Sequence, residues 1–346
     1  MSRRTTLTLA AVATLMAGGA QAAGELFLYN WSNYYPPELL KEFEKETGIK
    51  VTLDVYDSNE TMLAKLQAGA SGYDIVVPSD YMVETMIKEG LAVKIDAGQM
   101  PNFKNVAAPH NAPPFDPKRE YSAPYMWGVT GFSYDKSRVP NGKLDESWAV
   151  FFQPPAPLKG QVVALNDEVE LYKAAAIYLG LDQCTENNAD AQKIFELLSK
   201  QKPDLAMYQS DGTIERMIAK EVIVHMQWNG AAHRSKQGNK DVVFVYPKEG
   251  LSFWNDNFMV AKGAKNIDNA KTFINWMMEP KNIAAASNYT GYMNGVPSSV
   301  EFLKAEMKAD PAVVAPAGTE KLFVPTKTCS EAARDLRNKV WTRLRS

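Results

Sequence analysis

Aromatic side chains, hydroxyls and carboxylates recur together where predicted strands pass into loops. The recurring set comprises Trp31, Ser32, Tyr34, Ser79, Asp80, Tyr81, Asp167, Glu170, Trp228, Trp254, Asp256 and Tyr292. The faces of aromatic rings attract cations, and carboxylates accept strong hydrogen bonds from ammonium groups. This combination of residue types predicts a site that binds an organic cation.

Each of these positions also has a structural interpretation. Asp167 and Glu170 have the spacing of a capping box, Asp80 suits a helix cap, and Trp228 and Trp254 also fit core positions. The binding interpretation is favoured because loops at the carboxyl ends of parallel strands converge on one crevice. Since helix N-termini favour anions, a cation site there must be dominated by carboxylates, and these loops contain no Arg or Lys nearby.

Catalytic and cofactor motifs are missing from the sequence. The three histidines, His110, His225 and His233, are scattered and lack the spacing of metal ligands. No G-x-S-x-G, Walker or G-x-G-x-x-G motif occurs, so neither acyl transfer nor nucleotide chemistry is indicated. The sequence therefore predicts no catalytic residue, no metal and no cofactor.

The first mature stretch shows how the loops are positioned. Leu26 to Tyr29 is typical of a buried strand, and Pro36-Pro37 begins a helix that Gly48 ends. The loop between them is crowded with aromatic rings, which either roof the core or form a binding surface. Tyr73 to Val77 and the helix after it repeat the arrangement. Alternating strands and helices predict an α/β fold with doubly wound, largely parallel sheets.

A second series of strands and helices indicates a second domain, which 346 residues can accommodate. The chain crosses into this domain at Tyr121 to Gly128, and a new strand follows at Gln161 to Leu165. It returns around Pro247 to Trp254. We therefore expect two domains joined by crossovers, with the predicted loops facing a cleft between them.

The N-terminus has the pattern of a secretory signal peptide, here residues 1–22. Arg3-Arg4 forms the charged region, Leu7 to Ala17 the apolar region, and Ala20-Gln21-Ala22 the cleavage pattern. The apolar run is shorter than the roughly 18–20 residues that span a bilayer, and no other segment is long enough. The mature protein is therefore predicted to be exported and soluble.

Composition and charge narrow the choice of partners. The formal net charge is −2, with 45% hydrophobic and 23% charged residues, and no basic stripe appears. These values are ordinary for a globular protein and argue against nucleic acid as a partner. An oxidising compartment would permit Cys184 and Cys329 to form a disulfide, but the sequence leaves open whether they meet.

Beyond these patterns, the sequence resembles the periplasmic spermidine/putrescine-binding proteins of bacterial ABC importers, from Leu26 almost to Ser346. The motifs that carry the resemblance are Tyr29-Asn30-Trp31-Ser32, Phe43-Glu44-Lys45-Glu46-Thr47-Gly48-Ile49-Lys50-Val51, Asp57-Ser58-Asn59-Glu60, Tyr73-Asp74-Ile75-Val76-Val77-Pro78-Ser79, Pro124-Tyr125-Met126-Trp127-Gly128, Pro247-Lys248-Glu249-Gly250 and Phe253-Trp254-Asn255-Asp256. Each motif alone is weak, but together they are specific for this family.

The resemblance implies a two-lobed periplasmic-binding-protein fold, similar to type II, with hinge crossovers. One lobe would comprise residues 24–124 plus 254–300, and the other residues 125–253 plus 301–346. Both cysteines would then lie in the second lobe, which favours a disulfide. The implied ligand-binding positions are Trp31, Ser32, Asn33, Tyr34, Ser79, Asp80, Tyr81, Asp167, Glu170, Ser210, Trp228, Trp254, Asp256 and Tyr292.

The resemblance also implies a function. The protein would be a monomer, not an enzyme, that captures a polyamine in the periplasm and delivers it to the permease subunits of an ABC importer. Tyr81 and Asp167 look more like the spermidine-preferring branch. However, Asn33 stands where the family usually has an acid, and Ala231 where the putrescine-preferring branch has Asp. The missing acid weakens recognition of an amine at that end of the site, unless the neighbouring Asp80 takes its place. The preferred polyamine therefore stays open.

Two other functions stay open at this point. A binding protein for another organic cation or small solute would use the same fold, although an amino acid normally needs an Arg in the cleft, and none occurs in these loops. A secreted hydrolase would need two carboxylates that flank a bond. Asp167 and Glu170 are three residues apart at one helix start, which places them on one wall. Lys327 and its surroundings do not align clearly with the family's C-terminal ligand residue.

Overall fold

The computed structural model describes residues 24–69 and 72–346, so the predicted signal peptide, residues 1–22, lies outside the described residues. The strands are β1 (Gly24–Trp31), β2 (Ile49–Tyr56), β3 (Ile75–Val76), β4 (Ala92–Val93), β5 (Ser122–Asp135), β6 (Val162–Ala164), β7 (Leu205–Tyr208), β8 (Val224–Trp228), β9 (Val242–Val245), β10 (Leu251–Ala261), β11 (Met293–Asn294) and β12 (Phe323–Pro325). The helices are α1 (Pro37–Thr47), α2 (Asn59–Gln67), α3 (Asp80–Lys88), α4 (Trp148–Phe152), α5 (Glu168–Leu179), α6 (Asn188–Gln201), α7 (Thr213–Ile218), α8 (Asn229–Gly238), α9 (Ile267–Met277), α10 (Pro280–Thr290), α11 (Ala305–Lys308) and α12 (Glu331–Arg345). Every helix in these two ranges is too short or too polar to span a bilayer.

Local sequence explains where the helices beside the cleft begin and end. Pro37 occupies the first turn of α1, where a missing N–H costs no hydrogen bond, and Gly48 ends the helix with a left-handed φ of 73°. Asp167 precedes α5 and accepts a hydrogen bond from the backbone N–H of Glu170 at 3.0 Å. The predicted limits of α1 and the predicted cap of α5 are therefore confirmed.

One sheet runs through both lobes of this α/β fold. β1 pairs in parallel with β2 and β3, and β6 pairs in parallel with β7 and β8. Between these two parts lie the long strands β5 and β10, which pair antiparallel with each other. The resulting order, β2-β1-β3-β10-β5-β8-β6-β7, makes the crossovers part of a continuous sheet. The sequence predicts the crossovers but does not predict that they pair with each other.

Each lobe has its own hydrophobic core, and the crossover strands contribute to both. Tyr125 on β5 and Phe258 on β10 belong to the first core. Phe132 on β5 and Leu251 on β10 belong to the second core. We therefore propose that the lobe boundaries fall within these two strands. The proposed lobes are residues 24–124 plus 254–300 and residues 125–253 plus 301–346, except that Tyr125 belongs with the first lobe.

The segment after α10 suggests one change to that proposed division. Leu303, Met307 and Val313 pack against Ala284 of α10, whose neighbours on the helix belong to the first core. The same segment is also bonded to the second lobe, because Asp310 pairs with His233 of α8, with 2.8 Å between Oδ2 and Nδ1. We therefore propose that residues 303–313 join the two lobes, and that only the later C-terminal residues belong with the second lobe alone.

The pairing of the crossover strands shifts register at one residue. The shift falls between Asn255 and Asn257 of β10, so Asp256 has no partner on β5. Asp256 instead forms an isolated bridge to Ser79, immediately before α3. Such a bulge bends the strand and re-aims a side chain. Here it turns the Asp256 carboxylate towards the space between the lobes.

Cys184 and Cys329 form a disulfide, which the sequence alone had left open. The bond joins the segment after β12 to the loop between α5 and α6. β12 pairs in parallel with β10, and Thr328 Oγ1 donates a hydrogen bond to the carbonyl oxygen of Tyr81 at 3.4 Å. The C-terminal segment therefore contacts both lobes before α12 begins.

We expect loss of the disulfide to destabilise the protein, because the two cysteines are 145 residues apart. In the chain-entropy model a loop of this length is worth roughly 4–5 kcal/mol, and measured losses are about 2–5 kcal/mol. A Cys184→Ser/Cys329→Ser double variant should therefore melt at a lower temperature than the wild type. A reductant should lower the melting temperature of the wild type only. Equal melting temperatures for the two proteins would contradict a stabilising role.

Candidate ligand-binding cleft

A cleft lies between the two lobes, with about 1160 Å³ of empty space that includes its open mouth. Thirteen of the fourteen positions predicted from the sequence line it. These are Trp31, Ser32, Asn33, Tyr34, Ser79, Tyr81, Asp167, Glu170, Ser210, Trp228, Trp254, Asp256 and Tyr292. One side of the cleft is formed by the loops after β1 and β3 and by the crossover strand β10, which we also call the hinge strand. The other side is formed by α5, α7 and the end of β8.

Asp256 is at the centre of the polar contacts in the cleft. It is 5% exposed, and its carboxylate accepts hydrogen bonds from Ser79 Oγ at 2.7 Å and from Tyr34 Oη at 2.8 Å. Burial raises the pKa of Asp256 to about 7, against the lowering effect of these two hydrogen bonds, and the negative charge of Glu170 adds to the rise. A cation that enters the cleft would favour the ionised form of this carboxylate.

The start of α5 adds two more acids to the cleft. Burial, followed by the charge of Glu170, raises the pKa of Asp167 to about 7, although Asp167 keeps part of its surface exposed. Glu170 is buried, and its Oε1 accepts a hydrogen bond from Ser252 Oγ at 3.2 Å. Its Oε2 has no hydrogen-bond partner among the described residues, so its capacity to accept a hydrogen bond is unused. Across residues 24–69 and 72–346, no three His, Cys, Asp or Glu side chains are arranged to hold a metal ion.

Asp80 is the predicted position that lies behind the cleft wall instead of lining it. It begins α3, is 4% exposed, and accepts a hydrogen bond from the backbone N–H of Tyr81 at 2.9 Å. Burial raises the pKa of Asp80 to about 7, and the positive charge of buried Lys173 lowers it. Lys173 Nζ donates to the carbonyl oxygen of Val324 at 2.7 Å and to Thr326 Oγ1 at 2.8 Å. Asp80 therefore supports the wall and does not supply an additional acid to the cleft.

The aromatic walls of the cleft are fixed by their own hydrogen bonds. Trp31 Nε1 donates to the carbonyl oxygen of Val77 at 2.8 Å, and Trp254 Nε1 donates to Thr130 Oγ1 at 3.2 Å. Trp254 also packs edge-on against Tyr292, with ring centroids 5.1 Å apart. Because each indole N–H is already bonded within the protein, these side chains offer a ligand their ring surfaces.

Hydroxyl groups complete the polar part of the lining. Asn59 Nδ2 donates to Ser79 Oγ at 3.1 Å and to Tyr81 Oη at 3.0 Å, and Tyr81 Oη donates to Glu60 Oε1 at 3.0 Å. Ser210 Oγ is buried and lacks a hydrogen-bond partner within residues 24–69 and 72–346. It is therefore a second buried polar atom of the lining that a ligand could satisfy.

Several residues that line the cleft were not predicted from the sequence. Leaving aside Ala231, which was considered above, these residues are Tyr56, Asp57, Asn59, Val169, Asp211, Gly212, Thr213, Ile214, Glu215, Arg234, Thr290 and Thr326. The expectation of a cleft without arginine was based only on the predicted loops, and Arg234 corrects it. It lies on α8 three residues after Ala231, a helical spacing that could have revealed it. Thr326 is the C-terminal residue at the cleft, whereas Lys327 pairs with Asp182, with 3.3 Å between Nζ and Oδ1.

The chain is similar to known solute-binding proteins. A family model described as bacterial extracellular solute-binding protein matches residues 38–316. The spermidine/putrescine-binding periplasmic protein of Escherichia coli (strain K12) is 36% identical over 318 residues, which cover 89% of this chain and 90% of the relative. The putrescine/agmatine-binding protein of Pseudomonas aeruginosa (strain PAO1) is 32% identical over 354 residues, covering 98% and 96%. The spermidine/putrescine ABC transporter substrate-binding protein of Streptococcus pneumoniae superposes with a TM-score of 0.79 at 28% identity, covering 93% and 99%.

We predict that Asp256 makes the stability of the ligand-free protein depend on pH. Its folded-state pKa of about 7 lies above the value of about 3.9 for an unfolded Asp. Asp256 therefore contributes stability at low pH that is lost as the pH rises through about 7. Asp256→Asn removes this titration, so the variant should gain up to a few kcal/mol relative to the wild type between about pH 5 and 8.

Thermal unfolding of both proteins across this pH range measures the difference. Asp57→Asn is the matched control, because Asp57 also lines the cleft but is exposed. The control should show no gain that grows with pH. A difference between Asp256→Asn and the wild type that stays constant with pH would contradict the titration of Asp256.

We predict that Gly128→Ala disturbs the cleft wall. A Cβ at Gly128 would lie 2.6 Å from Trp254 Cζ2 and 2.5 Å from Asn229 Oδ1, so both side chains would have to move. Overpacking of this kind destabilises a protein by roughly 1–3 kcal/mol. Chemical denaturation and tryptophan fluorescence should report the loss and the displaced ring. Gly72→Ala is the control, because its Cβ would meet nothing within 4 Å. Equal stability of the two variants would show that the wall adapts freely.

Proposed function

Since this chain belongs to the bacterial extracellular solute-binding proteins, we propose that it captures polyamines, spermidine or putrescine, in the periplasm and delivers them to the permease of an ABC importer. The relatives named above are binding proteins for spermidine, putrescine or agmatine, all of which are organic cations. The alignments cover nearly the whole chain, and 90% or more of each relative. The proposal therefore concerns both lobes together and not one of them.

The observation that carries the proposal is a group of acids at the cleft whose ionised forms burial disfavours, together with two lining atoms whose hydrogen-bonding capacity is unused. Glu170 Oε2 and Ser210 Oγ have no partner among the described residues, and burial raises the pKa of Asp256 and of Asp167 to about 7. Ionised carboxylates that are held out of water are unfavourable unless positive charge and hydrogen-bond donors compensate for the lost hydration. Lys173 is close, but its ammonium is held behind the cleft wall. An ammonium group of a ligand would supply a donor and a positive charge within the cleft, so the cleft favours a cationic ligand.

A ligand with more than one ammonium group can engage the acids of both walls. Asp256 comes from the hinge strand, whereas Asp167 and Glu170 come from α5 in the second lobe, so the acids are distributed over opposite walls. Trp31 and Trp254 line the same cleft and can cover the methylene groups between two ammonium groups. Each charge-assisted hydrogen bond contributes roughly 1.5–3 kcal/mol and each buried methylene about 0.8 kcal/mol.

We infer binding and transport, not catalysis. Asp167 and Glu170 both belong to the start of α5, and Asp167 is engaged as the cap of that helix. A hydrolytic carboxylate pair would instead flank the bond to be broken. We also propose that the protein acts as a monomer, because the two lobes of one chain complete the cleft, and that it does not bind nucleic acid, because its formal net charge is −2.

Isothermal titration calorimetry with spermidine, putrescine and agmatine tests the proposal. We expect the wild type to bind at least one of them, and Asp256→Asn to weaken binding by roughly thirty- to several-thousand-fold, as expected when one partner of a buried charge pair is removed. Asp268→Asn is the control, because Asp268 lies in the first turn of α9, away from the cleft lining. Failure of all three cations to bind at millimolar concentration would refute the proposed function.

A further inference from the structure

Among the described residues that line the cleft, one carries a basic side chain. Arg234 is part-buried on α8 and lines the cleft together with Ala231, one turn earlier. Its guanidinium lies 5.2 Å from the centre of the Tyr289 ring. Within the described ranges no Asp or Glu comes close enough to form a salt bridge with it, and no side chain or carbonyl accepts a hydrogen bond from it. The N–H groups of Arg234 therefore remain available to a ligand.

Arg234 and Asp256 lie at the two ends of a chain of contacts. Tyr34 donates a hydrogen bond to Asp256 at 2.8 Å, and its ring centroid lies 5.6 Å from that of Tyr292. Tyr292 in turn packs on Gly230, where a Cβ would lie 2.6 Å from the Tyr292 ring. Gly230 and Arg234 are four residues apart on α8 and share one face of that helix. The acidic and basic groups are therefore separated along one wall of the cleft.

Arg234 and Asp256 both influence the pKa of the Tyr292 hydroxyl. Burial raises its pKa, the positive charge of Arg234 lowers it, and the negative charge of Asp256 raises it. Both charged groups are therefore close enough to Tyr292 to shift its pKa, in opposite directions. Ala231 and Asn33, which also line the cleft, contribute no carboxylate that would offset the guanidinium. An ammonium group at this end would meet a like charge, whereas a carboxylate would find a planar group that can donate two parallel hydrogen bonds.

We propose that Arg234 makes this end of the cleft a carboxylate-binding subsite, so that the ligands of the protein include ω-amino carboxylates. The ammonium group would lie at Asp256 and the carboxylate at Arg234. The inference rests on the proposed function, because it keeps the amine in the polyamine site and changes only the group at the far end. It also makes Arg234 a specificity-determining residue that disfavours an additional ammonium group at its end of the cleft.

The test compares two ligands that differ in one charged group. 1,4-Diaminobutane and 5-aminopentanoate share four methylenes and one ammonium group, and the second group is an ammonium in one and a carboxylate in the other. Calorimetry should show binding of 5-aminopentanoate to the wild type. Arg234→Gln should weaken that binding by roughly 10- to 100-fold, the effect of a lost charge-assisted hydrogen bond. The same variant should bind 1,4-diaminobutane several-fold more tightly, because a like charge has been removed.

Lys236→Gln is the matched control. It removes the same charge from the same helix, but Lys236 does not line the cleft and pairs with Asp310, with 3.2 Å between Nζ and Oδ1. The ratio of the two dissociation constants should therefore change in Arg234→Gln and stay at the wild-type value in Lys236→Gln. If melting curves show that Arg234→Gln is unfolded, Arg234→Lys replaces it, and should weaken 5-aminopentanoate less while leaving 1,4-diaminobutane unchanged.

Two results would overturn the inference. One is the absence of 5-aminopentanoate binding to the wild type at concentrations that saturate it with a diamine or triamine. The other is an unchanged ratio of dissociation constants in the Arg234 variant. Both differ from failure of the proposed function, in which no amine binds. Binding of an amine that depends on Asp256 but not on Arg234 would leave the proposed function standing and remove only the carboxylate subsite.

Discussion

The antiparallel pairing of β5 and β10 is the constraint on which the rest of the structure depends. Because these two strands pair with each other, the lobes share one sheet. The same strands also contribute side chains to both hydrophobic cores. The pairing shifts register at Asp256, which releases this residue from the ladder and places its carboxylate beside Ser79. Buried Arg119 supports the strand at this point, because its Nη1 donates to Asn257 Oδ1 at 2.7 Å. The junction between the lobes is thereby also the polar centre of the cleft.

Burial of several acids around this junction makes the cleft electrostatically incomplete. Asp256, Asp167 and Glu170 all have pKa values raised chiefly by burial. Lys173 provides a positive charge nearby, and burial lowers its pKa to about 8 although Glu170 and Asp80 raise it. Its ammonium, however, is held behind the wall by the C-terminal segment. The acids of the cleft therefore lower the stability of the empty protein and favour a bound cation, as expected of a binding site that is formed before its ligand arrives.

Sequence analysis could predict what local chemistry determines. Pro37 and Gly48 limit α1 through their backbone preferences, and Asp167 caps α5 through a contact three residues away. The same approach could not predict that β5 pairs with β10, because more than a hundred residues separate these strands. It also could not predict that Asp80 lies behind the cleft wall. Successive residues at a helix start point about 100° apart, so Asp80 faces the interior while its neighbours on either side face the cleft.

The buried acids also give a physical reason for ligand binding to be coupled to the approach of the lobes. Asp256 belongs to the hinge strand and Glu170 to the second lobe, and in this structure the charge of Glu170 helps to raise the pKa of Asp256. Bringing these carboxylates together without a cation adds repulsion to the loss of hydration. A ligand shifts a conformational equilibrium only by the difference between its affinities for the two states. An ammonium group between the acids reverses both unfavourable effects, whereas a neutral solute of the same shape reverses neither. The charge of the ligand, more than its shape, would therefore determine whether the lobes stay together.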